Sequence, residues 1–292
     1  MLNHLVIGCN GIIGSALFAH LQETDANVFG TTQRRALGFK PNVFYLNLLD
    51  PVESWDFPDV KFDVVYLCAG ICRMSLCEDD PQGTSKVNFH GMTTLANYLA
   101  ASGAFLVYLS TNQVFSGNQV FVPADATYEP RNEYGRQKAQ VEEWIQKHCP
   151  RSAILRLTKV VEPNMALIET WATELKQYQT IEAFHDMSLA PVSLKQVLRV
   201  LVSLGQKAIP GCYQLSGSQD ISYHDLACYL ARSIERDPTL VKSVSAVDKG
   251  IKKSFLPPFT TLDCSSTIAL CGEGPPHFSE VMAECFNFLK VD

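Results

Sequence analysis

The fold is decided by the stretch HLVIGCNGIIG, which occupies residues 4 to 14. The apolar run Leu2–Ile7 predicts a first β-strand, and the residues after the glycines predict a helix over Ile12–Leu21. Glycines between a strand and a helix permit a tight turn and let the backbone approach a diphosphate, whose charge the helix N-terminus attracts. The spacing G-x-x-G-x-x-G in this context therefore predicts a dinucleotide-binding turn. The residues expected to contact the cofactor there are Gly8, Asn10, Gly11, Ile12, Ile13 and Gly14.

Beyond this turn, short apolar runs alternate with helical patterns through the first half of the chain. Such alternation predicts βαβ units and a parallel sheet that is covered on both faces. The fold class is therefore α/β, with a doubly wound Rossmann sheet. The predicted strands are Leu2–Ile7, Asn27–Thr31, Val43–Leu46, Val64–Cys68, Phe105–Ser110 and Ala153–Leu157, and the longest predicted helices are Gly83–Ser102 and Asn132–His148.

The rest of the chain has a less regular pattern, which predicts a smaller C-terminal α+β lobe at the carboxyl edge of the sheet. We expect residues 1–162 and 188–217 to form the NADP-binding domain, and residues 163–187 and 218–292 to form the substrate-binding lobe. The elements predicted in this part are a helix over Val192–Leu204, a strand over Cys212–Leu215 and a helix over Ser222–Ile234 with Ser222 as its N-cap.

The composition argues against several classes of partner. The chain has 292 residues, with 24 Lys and Arg against 30 Asp and Glu, and a formal net charge of −6. Because an acidic surface repels nucleic acids and anionic membranes, and no apolar stretch approaches the ~18 residues of a spanning helix, we expect neither partner and no signal peptide. Ten cysteines without an export signal indicate reduced thiols in a cytoplasmic protein. No metal site is predicted, since Cys68, Cys72 and Cys77 lack the spacing of metal ligands.

The cofactor is predicted from the sequence TTQRR, residues 31 to 35, which lies where NAD enzymes of this fold carry an acidic residue. A carboxylate there binds the free 2′-hydroxyl of NAD, whereas a guanidinium pairs with the 2′-phosphate of NADP. We therefore expect NADP(H) rather than NAD(H), held by Thr32, Arg34 and Arg35; the alternative is a solvated loop with two surface arginines. The backbone expected beside the adenine ribose, after the fourth strand, is that of Cys68, Ala69 and Gly70.

A second group of residues suits acid–base chemistry. Tyr134 and Lys138 are four residues apart in a predicted helix, so both project from one face. An ammonium ~4 Å from a phenol is worth about 4 kcal/mol at an effective dielectric of ~20, or about three pKa units, which predicts that Lys138 lowers the pKa of Tyr134 towards neutrality. Ser110 and Thr111 end the preceding predicted strand, where a hydroxyl can bond a substrate carbonyl beside Tyr134. Lys138 can also hold the nicotinamide ribose.

The glycine turn, the strand end LVYLSTNQVFSG (Leu106–Gly117) and the helix start YGRQK (residues 134–138) together resemble the extended short-chain dehydrogenases/reductases. Within that group the chain is most similar to the dTDP-4-dehydrorhamnose reductases and related sugar-nucleotide enzymes. The resemblance implies a Rossmann fold with a small substrate lobe, use of NADP(H) and a nucleotide-sugar substrate. Further segments that carry it are Cys77–Ala104, Leu189–Leu201 and Gly211–Ala227.

The resemblance also implies roles for single residues. Thr111 would polarise the keto oxygen, Tyr134 would protonate it, and Lys138 would tune Tyr134. Asn88 would brace the active-site strand or a proton-relay water, the alternative being an exposed polar position on its helix. The other residues that it places at the cofactor are Asn47 and Leu48 near the adenine and Ser110 at the strand end.

Two departures from the family pattern bear on the reaction. Asn112 and Gln113 stand where the dehydratases carry an Asp-Glu pair, and because amides do not exchange protons at neutral pH, dehydration is not expected. The reductases also carry an Arg-Pro where this chain has Pro257 and Pro258. Either Lys252 or Lys253 replaces that arginine at the substrate diphosphate, or the substrate differs.

The first hypothesis is an NADPH-dependent reductase of a nucleotide-activated 4-keto-6-deoxysugar. The alternatives are a sugar-nucleotide epimerase that retains NAD and a non-catalytic NADP-binding regulatory subunit. An NADP-type pocket favours an exchangeable reductant, and hence net reduction of a ketone. A homodimer that pairs the helices Gly83–Ser102 and Asn132–His148 is one expectation; the other is that their apolar residues face their own sheet.

Overall fold

The computed structural model describes residues 2–24, 26–34, 42–162 and 165–286. Its strands are β1 (Asn3–Ile7), β2 (Asn27–Thr32), β3 (Val43–Tyr45), β4 (Val64–Leu67), β5 (Phe105–Thr111), β6 (Ser152–Leu157), β7 (Val160–Val161), β8 (Ile181–Phe184), β9 (Ser188–Leu189), β10 (Val192–Ser193), β11 (Gly211–Leu215), β12 (Ile221–Ser222) and β13 (Val241–Val244). Its α-helices are α1 (Ile12–Gln22), α2 (Met74–Asp79), α3 (Pro81–Ser85), α4 (Met92–Ala101), α5 (Glu133–His148), α6 (Ala166–Lys176), α7 (Leu194–Lys207), α8 (Tyr223–Ser233), α9 (Ser265–Cys271) and α10 (Phe278–Phe286).

Parallel strands form a seven-stranded central sheet in the order β11-β6-β5-β4-β1-β2-β3. The strand order runs outward in both directions from β1 and β4, so the chain reverses its winding between these two strands. Doubly wound sheets bind ligands at such a switch point, beyond the carboxyl ends of the strands. The α/β Rossmann-type fold that the sequence predicts is therefore confirmed.

Helices cover both faces of this sheet. On one face, α1 and α7 share a core with β1, β4 and β5, to which Leu17 and Leu201 belong. On the other face, α4 and α5 pack through side chains such as Leu95 and Ile145. The apolar sides of α4 and α5 thus face their own sheet, as the second of the two expectations for these helices had it.

The stretch predicted as a helix, Gly83–Ser102, is helical up to Ala101, but it is not one regular α-helix. The structure has α3, then a π-helical segment Lys86–Gly91, and then α4. The wide turn contains Asn88, whose side chain is buried and bonds groups outside the helix, a common use of π-helical turns near functional sites. It ends at Gly91, where an added Cβ would lie 2.5 Å from the carbonyl oxygen of Leu48, so the missing side chain allows this helix to approach the loop after β3.

A second hydrophobic core lies in the smaller part of the fold, around α6, α8 and α10. It contains Trp171, Leu230 and Met282 and joins the β8–β13 pair to these helices. Helix α8 begins with a capping box between Ser222 and Asp225, which confirms Ser222 as its N-cap. The predicted boundaries between the two parts stay a prediction. Within the described ranges, no helix is long and apolar enough to cross a membrane.

Candidate active site

The glycine turn joins β1 to α1 with a conformation that needs glycine at two positions. Gly8 has φ +81°, in the left-handed region, and its amide donates to the Thr31 hydroxyl oxygen at 3.2 Å. An added Cβ at Gly14 would lie 2.3 Å from the carbonyl oxygen of Gly8, which leaves no room for a side chain there. The first turn of α1 therefore packs directly on the loop, with its N-terminus at the carboxyl edge of the sheet.

We expect Gly14→Ala to disrupt this turn. The methyl group would displace the backbone of Gly8, since overpacking of this kind costs about 1–3 kcal/mol. The displaced loop would lose at least about tenfold in NADPH affinity, as one or two backbone hydrogen bonds to the diphosphate are lost. Fluorescence titration with NADPH and thermal unfolding measure the two effects. Gly274→Ala is the matched control, because a Cβ there meets Ile268 at 3.8 Å; equal effects of both variants would contradict the assignment.

The first cavity opens beside the glycine turn and has a volume of about 380 Å³. Its walls come from the turn, from the ends of β2 and β3 and from the loop after β4. A cavity at this position in a doubly wound sheet is where the adenosine half of a dinucleotide is expected to bind. The residues named from the sequence that line it are Gly8, Asn10, Gly11, Thr32, Asn47, Leu48, Cys68, Ala69 and Gly70.

Two polar residues named from the sequence are fixed by local bonds, and of these Asn47 lines the first cavity whereas Arg34 is not in its lining. The Asn47 amide donates to Asp50 at 2.9 Å, and its oxygen accepts from the Leu49 amide at 3.2 Å. The exposed Arg34 is held by its backbone, whose amide donates to the Thr32 hydroxyl oxygen at 3.2 Å. The second predicted phosphate ligand, Arg35, lies outside the described residues.

A second cavity of about 380 Å³ adjoins the first, because Gly11, Cys68 and Gly70 line both. It lies beyond the carboxyl ends of β5 and β6. The structure brings together here the three residues that the sequence assigns to chemistry, and the two isoleucines of the turn. Sequence-predicted residues in its lining are Gly11, Ile12, Ile13, Gly14, Cys68, Gly70, Ser110, Thr111, Tyr134 and Lys138.

Lys138 reaches into this second cavity from the buried face of α5. Its ammonium donates to the carbonyl oxygen of Leu109 at 2.8 Å and lies 4.6 Å from the ring centroid of Tyr108. Burial lowers the pKa of Lys138, which favours the neutral amine. The bond to Leu109 ties α5 to the end of β5, next to Thr111.

The expected lowering of the Tyr134 pKa is wrong. Desolvation raises the pKa of this phenol well above its ordinary value, and a hydrogen bond to the Cys72 thiol acts in the same direction. The Lys138 ammonium lies 6.0 Å from the Tyr134 ring centroid, farther than the distance assumed from the sequence, so its field does not offset burial. Tyr134 is therefore protonated at neutral pH.

A buried charge network behind β5 is absent from the sequence-based prediction. Arg156 on β6 and Glu142 on α5 form an ion pair at 2.6 Å, with side-chain exposures of 1% and 0%. The Ser110 hydroxyl donates to the same carboxylate, so it is bonded to this network although Ser110 lines the second cavity. A signal was available, because Glu142 lies four residues after Lys138 and thus on the same face of the helix.

Asn88 acts behind the first cavity rather than inside it. Its oxygen accepts from the Ile71 amide at 2.7 Å, and its amide donates to the Ile71 carbonyl oxygen at 3.0 Å and to Gln137 at 2.8 Å. It therefore braces the loop after β4 against α5, and the alternative of an exposed position is wrong. Asn88 itself is not in the cavity lining, although its neighbour Val87 is.

The amide pair after Thr111 has a structural use. The Gln113 amide hydrogen is donated to the Thr111 hydroxyl oxygen at 3.2 Å, and the Gln113 side-chain oxygen accepts from Asn132 at 2.8 Å. Asn132 is the N-cap of α5 and accepts from the Gly135 amide. Gln113 thus links the end of β5 to the start of the helix that carries Tyr134.

The two lysines expected at a substrate diphosphate lie elsewhere. Lys252 and Lys253 are exposed, and the carbonyl oxygen of Lys253 accepts from Arg131 at 3.2 Å. Neither lysine lines the second cavity. The segment after Pro257 is held instead by Asp220, which accepts from the Thr260 amide at 2.7 Å.

A glycine turn at the switch point of a parallel sheet, with a Tyr-x-x-x-Lys helix over the adjoining cavity, defines a protein of the extended short-chain dehydrogenase/reductase type. Comparison with known sequences then gives the family. The chain belongs to the RmlD substrate binding domain family, whose profile matches residues 2–291.

Relatives with two different names match different shares of the chain. Methionine adenosyltransferase 2 subunit beta of Xenopus tropicalis is 27% identical over 272 residues, which covers 89% of this chain and 80% of the relative. The Mus musculus protein of the same name is 26% identical and covers 98% and 87%. The dTDP-4-dehydrorhamnose reductase of Salmonella typhimurium is 26% identical over 173 residues, which covers 56% and 58%.

Solved structures agree on the fold. The dTDP-4-dehydrorhamnose reductase of Yersinia enterocolitica superposes with a TM-score of 0.83 at 20% identity, and each chain is covered in full. The reductase of the same name from Bacillus anthracis, solved in complex with NADP, superposes with a TM-score of 0.82 at 18% identity over 99% of each chain.

Proposed function

We propose that this protein uses NADPH to reduce the 4-keto group of a nucleotide-activated 6-deoxysugar. The observation that carries the proposal is the meeting of Thr111, Tyr134 and Lys138 in one cavity that adjoins the cavity at the glycine turn. Membership of the RmlD substrate binding domain family supports it, as does the fold shared with dTDP-4-dehydrorhamnose reductases.

The residues present fit a dinucleotide. Gly11, the N-cap of α1, lines both cavities, so the N-terminus of this helix lies where the two cavities adjoin. A diphosphate at this helix end meets unpaired backbone amides and the positive end of the helix dipole. When bound, NADPH supplies the hydride to the keto carbon.

Side chains of the protein then bind and protonate the oxygen of the ketone. Tyr134 donates its proton to the oxygen as negative charge develops, and its raised pKa keeps that proton in place at neutral pH. The Thr111 hydroxyl, oriented by the Gln113 amide, exchanges its 3.3 Å bond to the Asn112 oxygen for one to the substrate. Lys138 has Leu109 as one acceptor, which leaves two donors for ribose hydroxyls.

The reductase proposal is tested by following NADPH absorbance with a panel of 4-keto sugar nucleotides. We expect one NADPH to be consumed for each ketone reduced. An epimerase would instead leave the NADPH absorbance unchanged and would release NAD(H) when the protein as purified is denatured. Dehydration is not expected, because the amides of Asn112 and Gln113 do not exchange protons at neutral pH. The Gln113 side chain instead positions Asn132.

For the cofactor we propose NADP(H), bound at its 2′-phosphate by Arg34 and Arg35. The variant Arg34→Ala/Arg35→Ala is expected to weaken NADPH binding by about ten- to a hundredfold, because charge-assisted hydrogen bonds contribute about 1.5–3 kcal/mol. Binding of NADH should change by less than about threefold, since it lacks the phosphate. Arg151→Ala is the control, because Arg151 lies before the amino end of β6, whereas Arg34 follows the carboxyl end of β2. An equal loss for both nucleotides would contradict the assignment.

A second candidate function is a regulatory subunit, which the relatives favour. Proteins named methionine adenosyltransferase 2 subunit beta match 89% and 98% of this chain, whereas the curated reductase matches 56%. Under this reading the chain binds NADP(H) and contacts a methionine adenosyltransferase catalytic subunit without turnover of its own. Stoichiometric copurification with such a subunit, together with failure to oxidise NADPH with any ketone of the panel, would replace the first proposal by this one.

A further inference from the structure

Three charged side chains line the second cavity, namely Lys138, Lys159 and Glu162. The Lys138 ammonium donates to Leu109 and lies near the Tyr134 ring. In the described part of the chain, Lys159 makes no comparable contact. Among the residues that the structure describes, its ammonium has no hydrogen-bond partner and no carboxylate within ion-pair distance, although the residue is half-buried.

The backbone of Lys159 is held firmly on both sides. The amide of the preceding residue, Thr158, donates to Leu215 at 3.3 Å, and its hydroxyl donates to Ala190 at 2.5 Å. The carbonyl oxygen of Lys159 accepts from the Val192 amide at 3.0 Å. The side chain therefore starts from a fixed point between β6 and β7, in the lining of the second cavity.

An ammonium in this position costs the free protein stability. Burial lowers the pKa of Lys159, and the charge of Glu162 only partly opposes this effect. A half-buried cation without a hydrogen-bond acceptor is unfavourable unless something else supplies the acceptor. Titratable groups whose pKa is shifted by burial cluster at catalytic and ligand-binding sites.

We propose that Lys159 is a specificity-determining residue that binds an anionic oxygen of the substrate, a phosphate or carboxylate oxygen, in the second cavity. The inference rests on the proposed function, since it takes the ligand of that cavity to be a sugar nucleotide. Lys159 would also replace the arginine that the C-terminal segment lacks, because Lys159 lines the cavity whereas Lys252 and Lys253 do not.

The cofactor is the less suitable source of this anion. Its diphosphate is matched by the glycine turn and the N-terminus of α1, and its 2′-phosphate by the arginines after β2. Lys159 belongs to a different part of the cavity lining, with its chain neighbours Val160, Glu162 and Met165, where the chain leaves the sheet for the second core. The substrate is therefore the ligand that we expect at Lys159.

The test uses the full-length protein saturated with NADPH and three probes: dTDP, UDP-glucose and UDP-glucuronate. Lys159→Met is compared with two variants. Lys159→Arg keeps the charge, and Lys242→Met removes a charge from an exposed position of β13. We expect Lys159→Met to weaken binding by about ten- to a hundredfold, as one charge-assisted hydrogen bond is lost. Lys159→Arg should retain most of the affinity and Lys242→Met all of it, and NADPH affinity should change by less than about threefold in every variant.

The probes separate the two anions. A loss for all three probes identifies a phosphate oxygen, and a loss for UDP-glucuronate alone identifies a carboxylate. Unchanged binding of every probe in Lys159→Met overturns the inference while leaving the reductase proposal in place. If Lys159→Met weakens the probes but no ketone is reduced by the wild-type protein, the reductase proposal fails and the inference stands. If the wild-type protein binds none of the probes, the inference fails, whereas the reductase proposal is decided by NADPH consumption with the 4-keto sugar nucleotides.

Thermal unfolding without ligand gives an independent readout. Because Lys159 lacks a partner among the described residues, Lys159→Met should unfold at the same temperature as the wild-type protein or at a higher one. A structural lysine would behave in the opposite way. Unfolding of Lys159→Met several degrees below the wild-type protein would therefore overturn the inference.

Discussion

Tyr134→Phe is expected to lower the turnover number for ketone reduction by about 10²- to 10⁴-fold, the usual contribution of a general acid. The change removes one hydroxyl from the cavity and leaves the ring on α5, so NADPH affinity should stay within about threefold of the wild-type value. Stopped-flow measurement of hydride transfer separates this chemical effect from binding. Tyr178→Phe is the matched control, because Tyr178 is 72% exposed.

The pH profile of the same step tests the state of the phenol. The acid must be protonated to act, and the pKa of Tyr134 is raised above its ordinary value of about 10. Protonation of Tyr134 is thus complete at neutral pH and is lost only as the pH rises above that value. Hydride transfer should therefore not fall between about pH 7 and pH 9. A fall centred near pH 7 would support the lowered pKa expected from the sequence and contradict the structure.

Arg156→Met is expected to lower the free energy of unfolding by about 3–5 kcal/mol, because it leaves the buried Glu142 carboxylate without its cation. The guanidinium also donates to Gln214 at 3.1 Å and to the carbonyl oxygen of Ala124 at 2.8 Å, so several buried acceptors lose their donor together. Denaturant unfolding at neutral pH measures the loss.

The control is an ion pair of the same length on the surface. Arg199 contacts Glu273 at 2.6 Å, but the two side chains are 45% and 23% exposed. Surface ion pairs contribute about 0–1 kcal/mol, so Arg199→Met should have a small effect. A similar, small loss in Arg156→Met would show that the network behind β5 does not hold Ser110 and the strand end in place.

The parts of the fold that depend on local pattern could be predicted from the sequence. The glycine turn, the parallel strands and the Ser222 cap each follow from residues that are close together in the chain. The candidate site also followed, because parallel strands end at one edge of a sheet and α5 carries Tyr134 and Lys138 on one face. These are consequences of periodicity, which a single sequence contains.

What could not be predicted depends on contacts between distant segments. The π-helical turn at Asn88 follows from bonds to Ile71 and Gln137, which no periodicity announces. The raised pKa of Tyr134 follows from desolvation and from the nearby Cys72 thiol, which a distant segment of the chain supplies. The pairing of Glu142 with Arg156 needs the register of α5 on β6. Each of these features also alters the site, which is where local rules and final structure most often differ.

We propose that one cavity holds a nicotinamide beside Tyr134 and a sugar-nucleotide ketone. The most direct test is a single turnover with NADPH that carries deuterium at the transferable position of its nicotinamide, followed by mass spectrometry of the sugar nucleotide. We expect one deuterium on the former keto carbon, and none when Tyr134→Phe replaces the wild-type protein on the same time scale. A wild-type protein that binds NADPH and the ketone but transfers no deuterium would contradict it.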